Sequence, residues 1–232
     1  MKEKLKDALQ PIYQEMLDNT TINQWYQMID GEKYEYPCMA PVVGENYPKE
    51  PGTGFMFVGR ATNEWETGVT QSFDEIYNAS LDGLYTYIGK KKSAFFRVAE
   101  NVFSEYYGDD WLDNVAYSNL YKVARVYKNP TNTECEKQWK YVTRIFKKEI
   151  ETLSPKFVVI FAGKCWADAF IWYINDEIMP KPLETIIWDE DYGYSLAVYK
   201  VGEVYYLISE HPQGKKEDLH AEAVLSVFEK YK

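Results

Sequence analysis

Residues 157–162 read FVVIFA, an unbroken apolar run preceded by Lys156 and closed by Gly163. A strand with no polar alternation is buried on both faces, so helices must cover the sheet on each side. A second run of this kind, GFMFVGR at 54–60, is bounded by glycines. NVAYSNL at 114–120 reads as another strand, and two more fall near 195–200 and 203–209. Between them lie helical patterns: a short helix near 73–77, the amphipathic stretch 93–106, and a helix reaching about 153. The last is opened by Thr133 with Glu136 as a capping box. Further helices are expected from Gly163 to about 178 and from 216 to 231.

Buried strands alternating with helices give an α/β fold. The expectation is a three-layer α/β/α sandwich around a central, mostly parallel four-stranded sheet, occupying residues 54–232. Residues 1–53 read as an extension packed on that domain. They begin with a helix carrying Leu5, Leu9, Ile12, Met16 and Leu17, kinked or divided by Pro11, and continue into an irregular proline-rich loop over 31–53. The length of 232 residues suits one large domain.

Charge and cysteine usage narrow the function. Lys and Arg number 26 against 36 Asp and Glu, a net charge of −10. Such a chain does not cover a polyanion with its whole surface. A local exception runs from Asn119 to Lys148, where Lys122, Arg125, Lys128, Lys137, Lys140, Arg144, Lys147 and Lys148 face only Glu134 and Glu136. Lys90, Lys91, Lys92 and Arg97 make a second basic cluster. This reads either as a basic rim for nucleic acid or as a solvated helix face. Cys38, Cys135 and Cys165 are too few and too scattered for a disulfide framework or a metal cluster, so reduced thiols in a cytoplasmic protein are expected, with no metal and no cofactor. No apolar segment of membrane-spanning length and no secretory leader appears, and a monomer is expected.

In sheets of this kind ligands sit beyond the carboxyl ends of the strands. Those ends read GRATNEWETGVTQSF (59–73), SNLYKVARVYKNPTN (118–132), AGKCWADAF (162–170) and SEHPQGKK (209–216). Phosphate-loop, dinucleotide and nucleophile-elbow signatures are absent. In order and spacing the four segments resemble the uracil-DNA glycosylase superfamily, over residues from about 54 to 231. In particular, Gly59 to Asn63 fill the first motif, and Phe73 lies fourteen residues after Gly59.

The resemblance implies removal of uracil or another damaged base from DNA, in a DNA-repair hydrolase. It gives Phe73 the base-stacking role, Asn119 the reading of the base edge, and His211 donation to the base oxygen. Gly59 and Arg60 would line the base site. Lys122, Gly163, Lys164 and Lys215 would face phosphate or backbone. The chain has Arg60 and Ala61 where the family carries an acid or amide, which leaves Asn63 or Glu64 (or Glu66) to act with His211 in catalysis. It also lacks the four-cysteine cluster common in that branch. A non-catalytic protein that binds nucleic acid or a nucleobase-like small molecule in the same pocket is the alternative. An unrelated small-molecule enzyme using Cys165 or an acidic pair is a third.

Overall fold

A computed structural model describes residues 1–62, 67–90 and 93–232, with residues 87–90 as backbone alone. The amino-terminal stripe forms α1 (Lys2–Leu17), and Leu5, Leu9, Ile12, Tyr13, Met16 and Leu17 are all buried. Pro11 lies inside this helix without dividing it. The missing N–H removes one intrahelical bond, and the buried residues on both sides of the proline hold the stripe together. A hairpin follows, β1 (Tyr26–Ile29) paired antiparallel with β2 (Glu32–Glu35). Asp30 and Gly31, both at positive φ, form its turn. The short β3 (Val42–Val43) is buried. Residues 31–53 therefore hold two strands, not only loop.

The first buried run is β4 (Gly54–Ala61). Then come α2 (Phe73–Lys90), far longer than the 73–77 expected, α3 (Ala94–Tyr107), the single turn α4 (Trp111–Asn114) and β5 (Val115–Tyr121), buried at every position. Ser93 caps α3 by accepting the Phe96 N–H. The next helix, α5 (Asn132–Leu153), starts two residues before the expected position. Its capping box uses Thr131 and Glu134: the Thr131 N–H donates to Glu134 Oε2 at 2.7 Å, and the Glu134 N–H donates to Thr131 Oγ1 at 3.4 Å. The sequence holds two overlapping Thr-x-x-Glu pairs. The first, directly after Pro130, is the one that caps.

The run that anchors the fold is β6 (Pro155–Phe161), followed by α6 (Lys164–Ile174). Three more strands complete the sheet: β7 (Glu184–Asp189), not expected from the sequence, β8 (Tyr194–Val201) and β9 (Val204–Ser209). The chain closes with α7 (Glu217–Tyr231).

The sheet has seven strands in the order β3-β5-β4-β6-β9-β8-β7. This corrects the four-stranded expectation: four parallel strands, β5, β4, β6 and β9, form the centre, and β3, β8 and β7 add antiparallel edges. β8 and β9 are joined by Gly202 and Glu203 alone, with Val201 opposite Val204. A connection that short permits only a hairpin, since a parallel crossover needs a dozen or more residues. Two buried clusters fill the two faces. One face packs Met56, Val58, Val158 and Ile160 under α1, α5 and α6, and the other packs Phe55, Phe57, Val159 and Phe161 under α3 and α7. Residues 1–53 supply a helix to the first layer and β3 to the sheet edge. No helix among the described residues is long and apolar enough to cross a membrane.

Candidate functional site

The chain leaves β4 toward β5 on one side and leaves β6 toward β9 on the other. The connections diverge there, and the gap at the carboxyl ends is where this architecture opens a crevice. A cleft of about 570 Å³ opens at that end, and Gly59, Arg60, Asn119 and His211 all line it. Three separate strand ends, those of β4, β5 and β9, bring these four residues together.

Gly59 and Asn119 are register partners on adjacent parallel strands. A Cβ on Gly59 would lie 2.2 Å from Asn119 Oδ1, so only glycine lets the carboxamide into the cleft floor. Asn119 Nδ2 donates to Tyr117 Oη at 3.2 Å and to Met39 Sδ at 2.8 Å. Tyr117 in turn stacks on Phe57 and packs against Phe95 and Phe96. Phe95, Phe96 and Tyr117 thus form an aromatic inner wall. The amphipathic pattern of α3 signalled that Phe95 and Phe96 would be buried. It held no signal that they would border a cavity.

His211 follows β9 and lies nearly parallel to the Phe95 ring, 6.2 Å between centroids. Burial pushes its pKa down from 6.5 to about 4, helped by the positive charges of Arg60 and Lys215. The imidazole is therefore neutral at pH 7. Its Nδ1 accepts the Gln213 N–H at 3.2 Å, which places the ring proton on Nε2. No described residue bonds Nε2, so this nitrogen is a neutral donor open to a ligand.

Arg60 enters from β4. Its Nη2 donates to the Ala162 carbonyl at 3.1 Å, and the guanidinium lies 5.0 Å from the Trp166 ring centre. Its Nε is buried without a hydrogen-bond partner. Burial lowers its pKa, while Cys165 and Glu210 oppose that shift.

Other expected site residues lie elsewhere. Phe73 is 1% exposed, packed 4.6 Å from the Tyr13 ring, and does not line the cleft. It is a core residue under α1, not the stacking face. Lys122 is wholly buried. Its Nζ donates to Glu149 Oε1 at 2.7 Å and to Ser118 Oγ at 2.6 Å, and also to the Asn119 carbonyl. A lysine whose three donors are used inside the protein does not hold phosphate. Gly163 caps α6 at φ +83°, with Glu210 Oε2 3.4 Å from where its Cβ would be. Lys164, whose pKa the neighbouring Tyr199 raises, does not line the cleft. Lys215 sits beside it, over the Tyr194 ring. Asn63, Glu64 and Glu66 lie outside the described residues, as do Lys91, Lys92 and the side chain of Lys90.

Of the basic residues in the stretch 119–148 only Lys128 lines the cleft, so the stretch does not form a rim around it. Lys122 pairs with Glu149, Arg125 with Glu134, Lys140 and Arg144 with Glu15, Lys147 with Asp176, and Lys148 with Glu151. Most of these acids lie outside the stretch, so local counting overstated its charge. Lys128 lines the cleft without a carboxylate partner among the described residues, and no described acid lines the cleft. No cluster of three or more His, Cys, Asp or Glu among them could hold a metal. Compared with known proteins, the chain matches no family model and no curated protein.

Proposed function

We propose that this cleft binds a nucleobase and that the protein is a base-excision hydrolase of the uracil-DNA glycosylase kind, acting on uracil or another damaged base. The observation that carries the reading is that His211, its Nδ1 accepting the Gln213 N–H, lines the same cleft as Asn119, where burial favours the neutral ring. Breaking an N-glycosidic bond sends the bonding electron pair into the base, and negative charge grows on its carbonyl oxygen. A preorganised donor at that oxygen stabilises the transition state, and removing one such donor costs roughly 10²–10³ in rate. A neutral imidazole suits this role because it donates without first losing a proton to the base. The aromatic inner wall supplies the apolar surface that an extruded base needs. Asn119 offers its Oδ1 as an acceptor for the N–H edge of a base, its Nδ2 being held by Tyr117 and Met39.

Arg60 favours a second reading. A guanidinium opposes the developing positive charge on the sugar, and no described acid lines the cleft to orient water. On that reading the protein binds a nucleotide without cleaving it.

Oligonucleotides bearing uracil, hypoxanthine or a mismatch, single- and double-stranded, separate the two. Abasic sites formed at enzyme excess support hydrolysis. Saturable binding without product supports the second reading, and absence of both overturns the two together.

A further inference from the structure

Tyr127 is the most exposed aromatic residue among the described cleft residues, at 65%, whereas Phe95, Phe96 and Tyr117 are each below a tenth. It also has φ +62°, a left-handed conformation that tyrosine rarely adopts. Hydrogen bonds brace the backbone of the turn that holds it. The Ala124 N–H donates to the Pro37 carbonyl, Gln27 Nε2 to the Val126 carbonyl at 3.2 Å, and the Lys128 N–H to the Arg125 carbonyl. Arg125 is locked to Glu134 at 2.9 Å, inside the capping box of α5. An exposed aromatic ring on a backbone so braced, lining an aromatic-walled cleft, offers a stacking face to a ligand.

We infer that the cleft takes a single unpaired nucleotide, its base stacked on Tyr127 and its phosphate near Lys128, and that it discriminates against duplex. This rests on the base-binding reading above. The electrostatics argue for the unpaired form. A duplex is gripped through several phosphates at once, but of the described residues that line this cleft only Arg60 and Lys128 are cationic. Stacking tolerates any base, so Tyr127 sets the strand state and leaves choice of base to Asn119 and His211.

The test measures binding of dUMP, a uracil-bearing single-stranded trinucleotide, and a hairpin duplex carrying the same uracil. The proteins are wild type, Tyr127→Ala, Tyr127→Phe and Lys128→Ala. Wild type is expected to bind the single strand at least about tenfold tighter than the duplex. Tyr127→Ala should lose about tenfold for dUMP and the trinucleotide, while Tyr127→Phe stays within about twofold. Lys128→Ala should flatten the salt dependence of dUMP binding. The exposed position of Tyr127 leaves folding intact, which an unchanged thermal midpoint verifies. Equal binding by Tyr127→Ala and wild type, or a duplex bound as tightly as the single strand, overturns the inference. If wild type binds none of the probes, the base-binding reading itself falls, a different result from an unaffected Tyr127 variant.

Discussion

Gly59 and Asn119 show how tightly single residues define this cleft. With 2.2 Å between Asn119 Oδ1 and any added Cβ, Gly59→Ala must push the carboxamide off the floor. Ligand binding in the cleft is expected to fall at least about tenfold while the fold persists, a result that titration and circular dichroism together would read. The Lys122–Glu149 pair makes a separate prediction. Removing one partner, as in Lys122→Met, leaves a buried carboxylate alone and should cost about 3–5 kcal/mol in urea unfolding. The double variant Lys122→Met with Glu149→Leu should recover most of that loss. The sequence could not show this pair, because a lysine's partner 27 positions away leaves no local trace. Phe73 failed for a similar reason. Its spacing from Gly59 matched a motif, but α2 begins at that residue and turns the ring inward onto Tyr13. That Gly59, Asn119 and His211 would line one cleft was legible because each sits at the carboxyl end of a buried strand.

At the scale of elements, local patterns predicted existence well and boundaries less well. The buried runs at 54–60 and 157–162 became β4 and β6, because a strand buried on both faces has to be apolar throughout. β7 escaped notice: its burial alternates weakly, it follows Pro180 and Pro182, and Ile187 is 60% exposed on the sheet edge. The α5 capping box distinguishes two threonines by experiment. Thr131→Ala removes the hydroxyl that accepts the Glu134 N–H and should lower stability by about 1 kcal/mol in denaturant titration. Thr133→Ala, inside the helix, should change it by less than about 0.5 kcal/mol. Equal effects would place the cap at the wrong residue.

For the whole molecule, acid sensitivity follows from its two histidines. His220 is fully buried between Trp188 and Phe161, with neither ring nitrogen hydrogen-bonded, and burial pushes its pKa down from 6.5 to about 3. His211 moves the same way, to about 4. In the unfolded chain both protonate below about pH 6.5, where the folded protein cannot take up those protons. Stability is therefore full above pH 6.5 and falls as the pH drops toward the folded-state values. His220 alone should account for about 2 kcal/mol between pH 7 and pH 5. His220→Phe keeps the aromatic stack and should remove that part of the loss, as urea unfolding at the two pH values would record.

In a molecule with a net charge of −10, the proposed ligand recognition rests on one cleft that no described acid lines. The measurement that bears most directly on that cleft is the single-turnover rate of abasic-site formation on a uracil-bearing single strand, for wild type and His211→Ala. Wild type is expected to form product at a rate that holds level down to about pH 5, because His211 works unprotonated, and His211→Ala to lose roughly 10²–10³. Product formed equally by both proteins, or by neither on any damaged base, would contradict it.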